Sequence, residues 1–473
     1  MAKRLVVGAR QSALNKDMLT LGEAAALVGK TPSNISYLVQ YNRLQRYDAS
    51  GRAVARAPNG GLRVSRSELL GYVESWNRRV RSRMEELKIG ETEIAFLEVP
   101  ERERTKHVHR LHPYLGKFIP QLVGYFLSRY FEPGQIVLDP FCGSGTTLVE
   151  ASERGIDSVG VEISEFNVMI SRVKLADYKV LKVEKEVLDI SRRTAEFSAR
   201  EFPDGRGERL GRSPGEEGGY LERWFAPRSL SEMLYFRGLI SEYEHQDLLR
   251  VLLSRTARSC RLVHHYDLAT PKEPVRGPYA CYKHQGKTCT PVTTIVPRLR
   301  FYSVDTVRRI KEFQRARRPA ASLVIEADSR TVRLDDHMRS AARARGKRVD
   351  GIFTSPPYVG QIDYHEQHRY AYELFGIERR DGLEIGPKTK GKGERAKRDY
   401  ARSMAGSLRN VSAHMRPGAA VLLVANDRLG LYPGIFEEAG MRVERSFERP
   451  VEDRTERDKR PYSETVFLAR LDN

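Results

Sequence analysis

Beyond residue 107, short uninterrupted apolar runs alternate with stretches of helical periodicity. The runs around IVLD, SVGVE, LVIEA, GIFT and AAVLLVA predict buried strands at residues 136–139, 157–162, 322–327, 349–354 and 419–425. Apolar positions spaced by three and four predict helices near 146–154, 364–375 and 401–414. Buried strands separated by amphipathic helices are the pattern of a parallel α/β sheet covered on its faces. Close to the end, MRVERSF and SETVFLAR read as two strands of an antiparallel hairpin.

The first 75 residues are patterned differently. LTLGEAAALVGKTPSNISYLVQYNRL divides into a helix with Leu21, Ala24, Ala25 and Val28 on one side, a turn from Gly29 to Pro32, and a second helix. Ser33 caps that second helix, whose Ile35, Leu38 and Val39 face inward, while Asn34, Ser36, Tyr37 and Gln40 stay outside, where such groups reach base edges or phosphates. A Gly-rich hairpin or wing follows, then a helix capped at Ser65 or Ser67. The unit resembles the small winged helix-turn-helix modules of the excisionase and MerR type; protein docking or dimerisation is the alternative use.

Five segments follow: the helix-turn-helix module at 1–75, a charged linker at 76–106, the two parts of the α/β domain at 107–175 and 320–473, and an insertion at 176–319. The insertion stands where one helix and a loop would suffice. It carries amphipathic patterns with Trp224, Phe225, Tyr235 and Phe236, then a stretch mixing aromatics with Arg and Lys, as a surface that grips a nucleic-acid backbone would. Target recognition is expected there.

Composition sharpens the choice of partner. Lys plus Arg number 81 against 62 Asp plus Glu, a net charge of +19, and such an excess attracts polyanions over long range. With no apolar run long enough to span a membrane and no apolar leader, a cytosolic protein without a membrane partner is expected. Four cysteines, Cys142, Cys260, Cys281 and Cys289, are too few for a disulfide framework at this length.

The chemistry begins at DPFCGSGTT. Gly143 and Gly145 let the backbone turn tightly between the first strand and a helix opened by Thr146 and Thr147, and approach a ligand where a Cβ would clash. Glu162, at the end of the second strand, follows Asp139 by 23 residues, the distance at which a carboxylate meets the hydroxyls of a ribose. The turn is not Gly-x-Gly-x-x-Gly and has no phosphate-binding lysine. Asp139 beside it would repel a pyrophosphate and welcome an ammonium, which favours S-adenosylmethionine over NAD or ATP. Asp328, ending a later strand, is a candidate acceptor for the adenine amino group.

DPFCGSGTT together with TSPPY, Thr354 to Tyr358, resembles the DNA amino-methyltransferases, which methylate cytosine N4 or adenine N6. HPYLGKFIPQL, His112 to Leu122, looks like the segment that in those enzymes helps close the methionine pocket. The resemblance covers most of 107–171 and 320–470. It implies a seven-stranded, mostly parallel methyltransferase sheet with one reversed strand, and a cofactor site of Lys117, Asp139, Phe141, Gly143, Gly145, Thr146, Thr147, Glu162 and Asp328.

An exocyclic amino nitrogen is a poor nucleophile because its lone pair is delocalised into the ring. Ser355 and a prolyl carbonyl, that of Pro356, can accept its two N–H bonds and turn the lone pair toward an electrophilic methyl. Pro356 and Pro357 stiffen the turn, and Tyr358 can stack on a base extracted from the duplex. No cysteine nucleophile follows the Pro-Pro pair, which excludes methylation at cytosine C5. In the resembled family SPPY goes mainly with cytosine N4 and DPPY with adenine N6. The expected reaction is methylation of a flipped cytosine at N4 in double-stranded DNA, with a cognate restriction endonuclease as a further partner. Adenine N6, guanine N2 of RNA, and a non-catalytic DNA-binding protein are the alternatives.

Three secondary features remain. Tyr364, His368 and Tyr372 share a helix face that can line the base pocket or hold the loop, with Asp363 and Arg369 beside them. Lys388, Lys390, Lys392 and Arg395 lie in a basic loop that can neutralise phosphates. Cys281, His284 and Cys289, joined by Cys260 or His264, have the chemistry of a tetrahedral zinc site, although methyl transfer needs no metal and none is expected at the active site.

Overall fold

The computed structural model describes residues 17–28, 35–36, 38–39, 44–54, 61–75, 94, 96, 104–114, 116, 118–203, 219–265, 267–268, 271–281, 284, 287–340, 348–451 and 462–471. The chain divides into two compact units, Met1–Arg104 with Arg449–Tyr462, and Thr105–Glu448 with Ser463–Asn473.

In the first unit, strand β1 (Met18–Thr20) pairs antiparallel with β2 (Arg63–Ser65). Thr20 then caps helix Leu21–Leu27 in a reciprocal arrangement with Glu23, each side chain bonded to the other's backbone N–H. Ala24, Ala25, Ile35 and Val39 are buried in a small core with Leu44, Val64 and Leu69, and Leu21, Val28 and Leu38 pack against it. These positions face inward as expected. Ser65 accepts from the Glu68 N–H and so caps the helix at 66–75. Gly29 to Asn34, Tyr37, Gln40 and most of the linker lie outside the described residues.

The second unit is built on a seven-stranded sheet. In chain order its elements are β3 (Ile136–Asp139), β4 (Asp157–Glu162), the separate hairpin β5 (Tyr279–Cys281) and β6 (Lys287–Cys289), then β7 (Ser322–Glu326), β8 (Val349–Thr354), β9 (Met415–Ala425), β10 (Met441–Val451) and β11 (Tyr462–Leu471). The sheet order is β10-β11-β9-β8-β3-β4-β7, with β3 parallel to both β4 and β8 and β11 antiparallel to β9. From β3 the chain steps outward through β4 to β7, then returns to lay β8 on the other side of β3. That reversal opens a crevice at the carboxyl ends of β3 and β8, where open α/β sheets take their ligands.

Two cores flank the strands. One joins Ile136, Leu138, Val159, Ile352 and Leu423 to Met404, Leu408 and Phe436. The other joins Leu148, Phe166 and Ile170 to Val187, Phe236, Leu252 and Ile310. This second core runs through Val180–Glu201, Pro227–Leu239, Gln246–Cys260 and Val296–Ala316, so the helices of the insertion pack within the same compact unit as the sheet. Among the described residues no helix is long and apolar enough to cross a membrane.

Three boundaries differ from expectation. The helix expected at 364–375 is two, Tyr364–Gln367 and Arg369–Phe375, broken at His368. The helix expected from 401 starts at Glu394, so Arg395 is helical and the basic loop is shorter. Strand β9 begins at Met415, four residues before 419.

Candidate active site

The turn after β3 is held in place from several sides. The Gly145 N–H donates to the Cys142 carbonyl at 2.7 Å, the Gly143 N–H to Glu162 Oε2 at 3.0 Å, Ser171 Oγ to the Gly143 carbonyl at 2.9 Å, and the buried Lys174 Nζ to the Ser144 carbonyl at 2.5 Å. Gly143 and Gly145 have φ of 50° and 77°, in the left-handed region that side chains resist. A Cβ would also stand 3.0 Å from Tyr114 Oη at Gly143 and 2.9 Å from Ser171 Oγ at Gly145. A side chain would strain the backbone at both positions and would also crowd Ser171 at Gly145.

TSPPY leaves the end of β8, adjacent to β3. Thr354 Oγ1 donates to Asp139 Oδ1 at 2.6 Å in a buried contact, so the last residue of β8 is bonded to the carboxylate that ends β3. Beyond it, Tyr400 Oη donates to the Pro357 carbonyl at 2.9 Å and shares a 2.6 Å hydrogen bond with Tyr432. The turn is thus braced by packed groups behind it.

Asp139, Phe141, Gly143, Thr146, Glu162, Asp328, Ser355 and Pro357 line one cleft of about 810 Å³, including open space at its mouth. Pro356 is buried, and Thr147 bonds its hydroxyl to the Phe353 carbonyl at 3.3 Å. Gly145 lies at the cap of helix Thr146–Arg154. Tyr358 packs half-buried against the β-sheet core, 3.5 Å from Glu464. These four are not among the residues that line this cleft, and Lys117 lies outside the described residues.

Electrostatics single out the carboxylates. Burial pushes Asp139 up to about 6, against the hydrogen bonds from Thr354, Thr147 and the Phe141 N–H. Burial also raises Glu162, opposed by hydrogen bonds that include the Ser164 and Gly143 N–H groups. Asp328 carries Arg330 on both carboxylate oxygens. Burial pushes the Cys142 thiol far up, so it stays a neutral packing group.

Tyr114, Gly116 and Phe118, from the His112–Leu122 segment, line the cleft. One contributor was not visible in the sequence: His365 also lines the cleft, its Nδ1 meeting Glu384 Oε1 at 2.5 Å while its Nε2 has no partner among the described residues. Of the helix-face trio, Tyr364 lines the cleft and Tyr372 bonds to Ser164 at 2.6 Å. His368 is buried against Tyr114 and Phe166 and pushed down to about 3 by burial, hence neutral. Asp363 accepts from Thr389, and Arg369 pairs with Glu373 at an exposed position. Carboxylates at the ends of adjacent strands, a close backbone approach at Gly143, aromatic walls and an unpaired imidazole nitrogen suit a nucleoside bearing a cationic amino-acid tail.

Comparison with known proteins agrees. The family model for N6/N4 DNA methylases matches residues 50–172. Type II methyltransferase M.MjaII of Methanocaldococcus jannaschii is 39% identical over 97% of this chain and 98% of its own length. Type II methyltransferase M.MvaI of Kocuria varians is 27% identical over 36% of this chain and 37% of its own. A solved structure of TrmN from Thermus thermophilus aligns at 12% identity over 79% of this chain and 55% of that one, with a TM-score of 0.30, too loose to bear on function. With 39% identity to a type II methyltransferase over nearly the whole length of both chains, the chain belongs to the N6/N4 DNA methylase family, whose methyl donor is S-adenosyl-L-methionine.

Proposed function

We propose that the protein methylates the exocyclic N4 of a cytosine flipped out of double-stranded DNA, as the modification partner of a restriction endonuclease. The observation that supports this is the Thr354–Asp139 hydrogen bond, which ties the end of β8, where TSPPY begins, to the carboxylate that ends β3. When bound, the cofactor supplies an electrophilic methyl on a sulfonium.

Around it, Asp139 balances the ammonium of the methionine end, the backbone at Gly143 allows close approach, and Glu162 receives the ribose hydroxyls. Asp328 takes the adenine amino group, sharing an oxygen with Arg330. Phe141 and Thr146 complete the wall. Ser355 Oγ and the Pro356 carbonyl accept the two N–H bonds of the target amino group; the Pro357 carbonyl is already taken by Tyr400. Tyr358 stacks on the base. The first 75 residues, read from sequence as a helix-turn-helix, add grip, and the insertion at 176–319 reads the target.

Unmodified genomic DNA incubated with the enzyme and labelled cofactor, then digested to nucleosides and weighed, is expected to contain N4-methylcytosine within one sequence context. Label in N6-methyladenine alone would replace cytosine by adenine as the target; label in RNA only, or none, would overturn the reading.

A pH dependence follows from Asp139. An ionised carboxylate holds the ammonium, so cofactor Kd should rise by about tenfold per pH unit below about 6. Asp139→Asn should flatten that profile. In the free enzyme the sign is opposite: the folded value lies above the ordinary 3.8, so this group's contribution to stability is present at low pH and lost as pH rises through about 6. Titration calorimetry from pH 5 to 8 reads the first effect, and equal slopes in the two proteins would remove the ammonium assignment.

A further inference from the structure

We propose that His265, Cys281, His284 and Cys289 bind one structural zinc ion that fastens the β5–β6 hairpin to the end of helix Gln246–Cys260. One donor atom from each lies within 4.8 Å of all the others. His265 Nδ1 is 3.9 Å from Cys281 Sγ, and His284 Nδ1 is 3.1 Å from Cys289 Sγ. Zinc bonds of about 2.3 Å to sulfur and about 2.0–2.1 Å to nitrogen place tetrahedral N and S ligands about 3.6 Å apart, between those two separations.

The hairpin explains how the set assembles. Tyr279 faces Cys289 and Cys281 faces Lys287 across the ladder, so both cysteines project from one face, because side chains alternate along a strand. His284 sits in the loop that joins the strands. His265 comes from the segment after the helix, where its N–H donates to Tyr279 Oη at 3.1 Å. The fourth ligand is thus His265, correcting the alternatives considered from sequence: Cys260 is buried in the helix core, and it is a His265 nitrogen, not one of His264, that converges with the other three donors.

Two three-residue strands are too short to stand alone. Two sulfurs and two imidazoles in a closed tetrahedron favour zinc, and four protein ligands leave no open position for catalysis. Each cysteine binds as thiolate and releases its proton to solvent. A second convergent group, His107, His109 and Glu150, differs in kind, because the Lys106 ammonium already sits 3.0 Å from Glu150.

Full-length protein purified without chelator should carry about one equivalent of zinc by elemental mass spectrometry; less than about 0.2 equivalents overturns the proposal. Replacing the metal of the wild-type protein with cobalt(II) should give thiolate-to-cobalt charge transfer and intense d–d bands. A weak octahedral spectrum would overturn it even where variants fold poorly. His265→Ala should lose the metal and His264→Ala should keep it, and the reverse would refute this ligand set.

Discussion

Ser355→Ala should lower the single-turnover rate of methyl transfer to DNA by about 10²–10³-fold, the loss typical of removing one preorganised hydrogen-bonding partner from a reacting centre. Cofactor Kd should stay within about threefold, since the cleft retains Asp139 and Glu162. With two acceptors, the amino group is held with its lone pair facing the methyl; with one, it rotates back into conjugation with the ring and the reactive geometry becomes rare. The loss should appear in rate because the turn keeps its supports, the Thr354 bond to Asp139 and the Tyr400 bond to Pro357. Ser355→Asp retains an acceptor and should recover part of the rate. A Ser355→Ala enzyme within about fivefold of wild type would sink the clamp, and a melting point lowered in parallel with activity would assign the serine to folding.

The elements read correctly from sequence are those whose causes are local. β4 and β8 each hold a short apolar stretch, Val159–Val161 and Gly351–Phe353, and Thr146–Arg154 lies between Gly145 and Gly155, both in left-handed conformation. The contacts that assemble the site cross the chain. Nothing in the periodicity around His365 announces Glu384, and nothing near Tyr114 announces that it will stack on His368. Sequence alone does not tell the proposed ligand His265 from its neighbour His264, because ligand choice depends on which way a loop turns. The first turns of Glu394–Ser412 carry charge at every position but Ala396, so helical phase is invisible until Tyr400 reaches the core. The insertion's helices show an apolar face in sequence, yet only the fold reveals that Phe166 and Ile170 share their core.

Glu162→Ala should raise cofactor Kd by about 10²-fold. The carboxylate accepts the Ser164 N–H at 2.9 Å and the Gly143 N–H at 3.0 Å, and in the proposed complex it also receives the ribose hydroxyls. Hydrogen bonds to a charged group contribute about 1.5–3 kcal/mol each, so losing the ribose pair costs about 3 kcal/mol. Disorder of the turn would add to that. A thermodynamic cycle separates the two effects. Wild type should bind a cofactor analogue lacking both ribose hydroxyls about 10–100-fold more weakly than the parent compound, and the variant should bind the two within about threefold. If Glu162 only positions the turn, the variant weakens both compounds alike and the wild-type ratio survives. Glu162→Gln, which keeps one carbonyl oxygen and trades the other for a donor, should fall between them, retaining part of the ratio because an amide oxygen still accepts one hydroxyl.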